Sequence, residues 1–147
     1  MEDDIFYERD TEEASRWLEQ SKYDLEGARW LLQARPPFNA LACYQSHQAV
    51  EKCLKSLLYH YCGITGTLLT SHKIEQLMSA FFKETGQRHE IIMANGMKVS
   101  GYYLATRYPN RQPHTTIPAT AYDNSEAVDA VYSATEVFQC VQRLTED

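Results

Sequence analysis

Pro36 and Pro37 divide two long stretches in which apolar residues recur every three or four positions, and no stretch alternates as a half-buried strand would. A proline pair ends a helix, because its rings clash with the preceding turn and push the residue before them out of the α region. Upstream, Ala14, Trp17, Leu18, Ser21, Leu25, Ala28, Leu31 and Leu32 fall at helical spacing behind a capping box, Asp10-Thr11-Glu12-Glu13. This predicts an amphipathic helix of about six turns. Downstream, between Asn39 and Cys62, Leu41, Tyr44, Ala49, Val50, Cys53, Leu54, Leu57, Leu58 and Tyr61 cover more than one stripe. That helix is expected at the centre, buried on several sides, with Gly63 as its C-terminal cap.

A short loop over 64–70 leads to Ser71-His72 and a third helix carrying Ile74, Leu77, Met78, Phe81 and Phe82, closed by a turn at Gly86-Gln87-Arg88. From His89 to Thr106, Gly96 and Gly101 interrupt the pattern, so one broken or kinked helix is expected. Arg107 to Tyr122 holds Pro109, Pro113 and Pro118 without periodicity and reads as an ordered or semi-ordered loop. A second capping box, Asp123-Asn124-Ser125-Glu126, opens a last helix with Val128, Val131, Ala134, Thr135, Phe138 and Val141. The expectation is all-α: an acidic N-terminal tail over 1–10, then one antiparallel up-and-down bundle of about five helices over 11–147.

A chain of 147 residues, 44% hydrophobic and 23% charged, buries a core without disulfides or metal. No apolar run is long enough to span a membrane, and the acidic start, Met1-Glu2-Asp3-Asp4, is unlike a signal peptide. Cys43, Cys53, Cys62 and Cys140 form no CxxC pair and read as reduced core residues of a cytoplasmic protein. The net charge of −6 is unevenly spread: acidic residues dominate 1–51 and 112–147, basic ones 52–111. Either the charges form a solvated pattern or the basic middle holds a local anion site. A broad, sequence-independent nucleic-acid binder is disfavoured by the overall sign.

Three blocks together resemble the HEPN family. They are Trp17 through Leu32 with Ser21, Asp24, Leu25 and Ala28; the run Cys43 to Leu58 with its Gln48-Ala49-Val50-Glu51-Lys52 core; and Tyr103 to Pro109 with the proline-rich loop and final helix. Ser71-His72 before the third helix fits as well. Within the family, Arg107-Tyr108-Pro109 looks closest to the branch that closes the chaperone-like protein sacsin. The resemblance implies a helical bundle that dimerises and, as the family's name records, a nucleotide-binding role. Prokaryotic members often accompany a minimal nucleotidyltransferase, and several act as metal-independent ribonucleases.

Such cleavage needs a general base, a proton donor and cations for the phosphate. The nuclease branch uses an Arg followed closely by a His, and six residues separate Arg107 from His114. Pro109 and Pro113 lie between them, so the two cannot share one face of a continuous helix. Lys52, Lys55, Arg107 and Arg111 are the candidates for a phosphate-contacting patch. Arg107 instead anchors the loop if it pairs with a carboxylate such as Glu51, and Glu51 with Lys55 is also spaced as a helix-surface salt bridge. Gly63-Ile64-Thr65-Gly66 lacks the Lys-Ser/Thr of a phosphate loop. His47, His60 and Cys62 lack a second pair at zinc-ligand spacing, so no metal is expected. Tyr102, Tyr103 and Tyr108 either stack a base or pack on the bundle, and Trp30 is left to face a partner.

Three readings stay open. The first is a non-enzymatic module that binds a nucleotide such as ATP or GTP and forms a homodimer, in a chaperone-related, sacsin-like setting. Apolar residues on two faces of the second and last helices motivate the dimer. The second is a metal-independent ribonuclease or toxin built on Arg107 and His114. The third is a protein docking domain that recruits chaperone components without nucleotide.

Overall fold

A computed structural model describes residues 4–146. The expected acidic start at residues 1–3 lies outside the described residues, as does Asp147.

Helix α1 (Thr11–Gln33) and helix α2 (Asn39–Tyr61) form an antiparallel hairpin across the two prolines. Asp10 caps α1 by accepting from the Glu12 and Glu13 amides. Between the helices two buried hydroxyls reach across, Ser21 Oγ to the Ala49 carbonyl at 2.7 Å and Ser56 Oγ to the Ala14 carbonyl at 2.6 Å. Helix α8 (Asn124–Thr145), capped by Asp123, packs on both. It runs alongside α2 in the same direction: Asn124 Nδ2 donates to Asn39 Oδ1 at one end, and Tyr61 OH donates to the Leu144 carbonyl at the other. The up-and-down alternation is therefore α1 against α2 and α1 against α8.

Helix α2 is buried over most of its length, as its several apolar stripes predict; Val50, Cys53, Leu54, Leu57 and Leu58 are at most 1 % exposed. Each such leucine contributes about 2 kcal/mol by leaving water. Helices α1, α8, α4 (Ile74–Thr85) and α5 (Glu90–Val99) supply most of that cover. Leu41 near the start of α2 stays 42 % exposed, as do Val128 and Tyr132 on α8 at 47 and 62 %.

The remaining pieces are short. Helix α3 (Gly66–Leu69) precedes α4, and α6 (Tyr102–Ala105) follows α5. The expected break falls at Ser100-Gly101; Gly96 lies inside α5, where a Cβ would come within 3.3 Å of Met78 Sδ. The proline-rich stretch contains a 3-10 turn (Pro109–Arg111) and helix α7 (Pro118–Ala121), each begun by a proline whose missing N–H costs nothing there. Gln112 Nε2 holds this stretch by donating to the Ala105 carbonyl and the Tyr122 hydroxyl.

The acidic N-terminal tail carries a short strand. Strands β1 (Phe6–Tyr7) and β2 (Ile64–Thr65) pair antiparallel, so residues 4–10 dock on the bundle. Asp10 N donates to the Tyr59 carbonyl, Arg9 Nε to the His60 carbonyl, and Gly66 N to the Ile5 carbonyl. Gly63 permits the approach: its φ is +87°, and a Cβ there would sit 2.6 Å from the Tyr7 carbonyl oxygen.

Candidate functional site

The polar centre begins inside α2. Glu51 and Lys55 stand one turn apart, yet the helix is buried there, so their side chains are only 4 and 3 % exposed. Lys55 Nζ donates to Glu51 Oε2 at 2.9 Å, and His72 Nδ1, from the segment before α4, donates to Glu51 Oε1 at 2.9 Å. The His72 carbonyl accepts from His47 Nε2 at 3.2 Å. Burial holds the His47 imidazole below its ordinary value, with Glu51 opposing, which suits a neutral ring with one N–H to give.

Tyr103, on α6, joins this network to the arginine. The His72 ring lies flat on it, centroids 4.0 Å apart and planes at 15°. The Arg107 guanidinium carbon lies 4.8 Å from the same ring, 4.3 Å from that of Tyr44 and 5.1 Å from that of Tyr108. Arg107 Nε donates to the Tyr103 carbonyl at 3.0 Å. Glu51 does not anchor Arg107, since Lys55 and His72 take its two oxygens; among the described residues no carboxylate pairs with this arginine. Ring faces orient a guanidinium without neutralising it.

Beside Tyr103 runs an open groove of about 760 Å³, lined among others by Ser71, His72, Lys73, Gln76 and Arg111. Of the four cations expected to meet phosphate, Arg107 lies over the Tyr103 ring and Arg111 lines the groove, of which Arg107 is not itself a part. Lys55 is sealed behind it against Glu51 and Trp17. Lys52 turns to α1 and pairs with the buried Asp24, which also accepts from Gln20. Both lysines are thus held by carboxylates.

His114 sits on the exposed turn in a shallow depression formed between Pro109 and Ile117, and Arg107 is not part of that depression. Tyr102 packs edge-on against Tyr122 rather than toward the groove. Burial pushes the Cys43 and Cys53 thiols up to about 12, so neither is a nucleophile at neutral pH; all four cysteines are free. Among the described residues no three His, Cys, Asp or Glu side chains gather to hold a metal ion, and no helix is long and apolar enough to cross a membrane.

Sequence reasoning passed over His72 and Tyr44 as site residues. The signal for the first was available: a Glu/Lys pair embedded among Val50, Cys53, Leu54 and Leu57 cannot be a surface salt bridge, so Glu51 needs further polar partners.

The fold has solved counterparts. TT1696 from Thermus thermophilus is 27% identical, with a TM-score of 0.74, over 88% of this chain and 96% of its own. ST0689, described as an archaeal HEPN homologue, has the same fold at 23% identity and a TM-score of 0.67, over 90% of this chain and 98% of its own. No curated protein matches the sequence significantly. Residues 14–144 match the HEPN domain, nearly the whole bundle from the first turn of α1 to the last of α8. The chain belongs to the HEPN family.

Proposed function

We propose that this HEPN domain is a non-enzymatic module that binds a nucleotide by its phosphates at the Tyr103 junction, with Arg107 as the principal ligand and Arg111 as the second cation. One observation carries the reading: Arg107 is oriented by three tyrosine rings while its terminal nitrogens meet no carboxylate among the described residues. A phosphate accepts from such a fork through two parallel bonds. Tyr108, 47 % exposed, offers a face for the base. The site needs no glycine-rich loop, because side chains between helices supply the donors.

The homodimer belongs to the same proposal, supported by Tyr23 and Trp30, which stand 72 and 73 % exposed on one side of α1. The sacsin-like ending Arg107-Tyr108-Pro109 extends the proposal to a chaperone-related setting, with chaperone components as partners.

Calorimetric titration of ATP, GTP and tripolyphosphate tests the binding. Saturable heat that Arg107→Ala abolishes is expected; equal affinity in wild type and Arg107→Ala refutes the assignment. Absence of heat with every ligand turns the reading to a docking domain that works by protein contacts alone. Light scattering tests the dimer, and a monomer at high concentration refutes it. The ribonuclease reading has less support, because Arg107 does not line the depression that holds His114.

A further inference from the structure

The Glu51–His72 pair does more than brace Tyr103. Facing a buried carboxylate at 2.9 Å, Nδ1 of His72 must be the nitrogen that carries the proton. In the neutral ring Nε2 is then a lone pair. The side chain is 43 % exposed and lines the groove with Ser71, Lys73 and Arg111. A lone pair repels a phosphate oxygen, whereas an imidazolium N–H donates to it.

Charged and polar groups from several elements face the ring. On α2, Glu51 is already neutralised by Lys55, and His47 presents a neutral N–H to the His72 backbone. On α6, Tyr103 offers only its ring face. The groove also holds Lys73 and Arg111, and Glu75 is the single carboxylate among the described residues that line it. A phosphate dianion beside an imidazole favours its doubly protonated form, which has an N–H to give on each edge.

We infer that the groove beside Tyr103 is a subsite for a dianionic terminal phosphate, and that His72 is its proton-carrying ligand, taking one proton from solvent as the phosphate enters. No bond to phosphorus is made or broken. The inference rests on the proposed phosphate site at Arg107 and adds a second contact point and a proton to it.

Tripolyphosphate is the probe, titrated by calorimetry in two buffers of different ionisation enthalpy, with wild type, His72→Gln and Arg107→Ala compared after their helicity is checked. Wild type is expected to take up a proton fraction on binding. Its affinity should fall by about three- to tenfold between pH 6.5 and 8.5 beyond the change seen in His72→Gln, which shares the ligand's own titration. His72→Gln should still bind, more weakly and without the extra proton. Buffer-independent heat in a wild type that binds, or the same proton uptake in His72→Gln, overturns the role of His72 while leaving Arg107 in place. No binding by wild type overturns both.

Discussion

Removing one member of the Glu51–Lys55 pair should cost far more than removing both. Both side chains are at most 4 % exposed and 2.9 Å apart, and Lys55 Nζ also lies 5.5 Å from the centre of the Trp17 ring. Glu51→Gln keeps the shape and removes the countercharge, so a buried ammonium loses its main stabilisation, at about 3–5 kcal/mol. Lys55→Met should cost a similar amount by leaving the carboxylate with His72 alone. The double variant buries no charge at this point, its thioether still meets Trp17, and it should lie within about 1–2 kcal/mol of wild type. Urea unfolding of all four proteins gives the cycle, and each single variant should melt roughly 6–20 °C lower. Single losses under about 1 kcal/mol that simply add in the double variant would refute the claim that this pair is dry and coupled.

Other outcomes follow from the same geometry. Gly63→Ala, which forces a Cβ against the Tyr7 carbonyl at a positive φ, should destabilise by about 2 kcal/mol and expose the Gly66 amide to rapid hydrogen exchange. Tyr103→Phe should keep both stability and phosphate binding, whereas Tyr103→Ala removes the ring that seats His72 and Arg107 and should weaken binding severalfold or more by calorimetry. His47 is held below its ordinary value by burial, so the stability gained by keeping it neutral is present above about pH 6.5 and lost as pH falls toward its folded value. Wild type should therefore lose stability to His47→Gln between pH 7 and pH 5 in denaturant titrations; a constant difference would contradict a buried neutral ring.

The long elements were legible because they repeat their signal. Eight apolar-face positions before Pro36, nine after Asn39, and two aspartate caps each restate one helix, and all appear where the spacing puts them. The two-residue strands were not, because a pairing that short carries no period; only Gly63 hinted at it, and a glycine after a helix already has the simpler reading of a cap. The site was half legible. Arg107 stood out beside Tyr108, and Lys52, Lys55 and Arg111 as further candidates, with Glu51 the alternative partner of Lys55; the structure pairs Lys52 with Asp24, on another helix, and Lys55 with a Glu51 that is buried rather than on the surface. Charge type can be read along a chain, but burial comes from the packing of distant segments. His72 needed that same knowledge, since its carboxylate lies 21 residues away.

The two serine hydroxyls that cross between α1 and α2 work as opposed pins. Ser21 points from α1 into α2 and Ser56 from α2 into α1, with partners 28 and 42 positions away along the chain, so any axial slide stretches both at once. A slip of one turn, about 5.4 Å, would strand two buried hydroxyls at roughly 1–3 kcal/mol each. The hairpin is accordingly keyed against piston motion and moves as one lever. Sliding of one long helix past the other is therefore the costly way for the proposed site at Arg107 and His72 to communicate with the rest of the bundle.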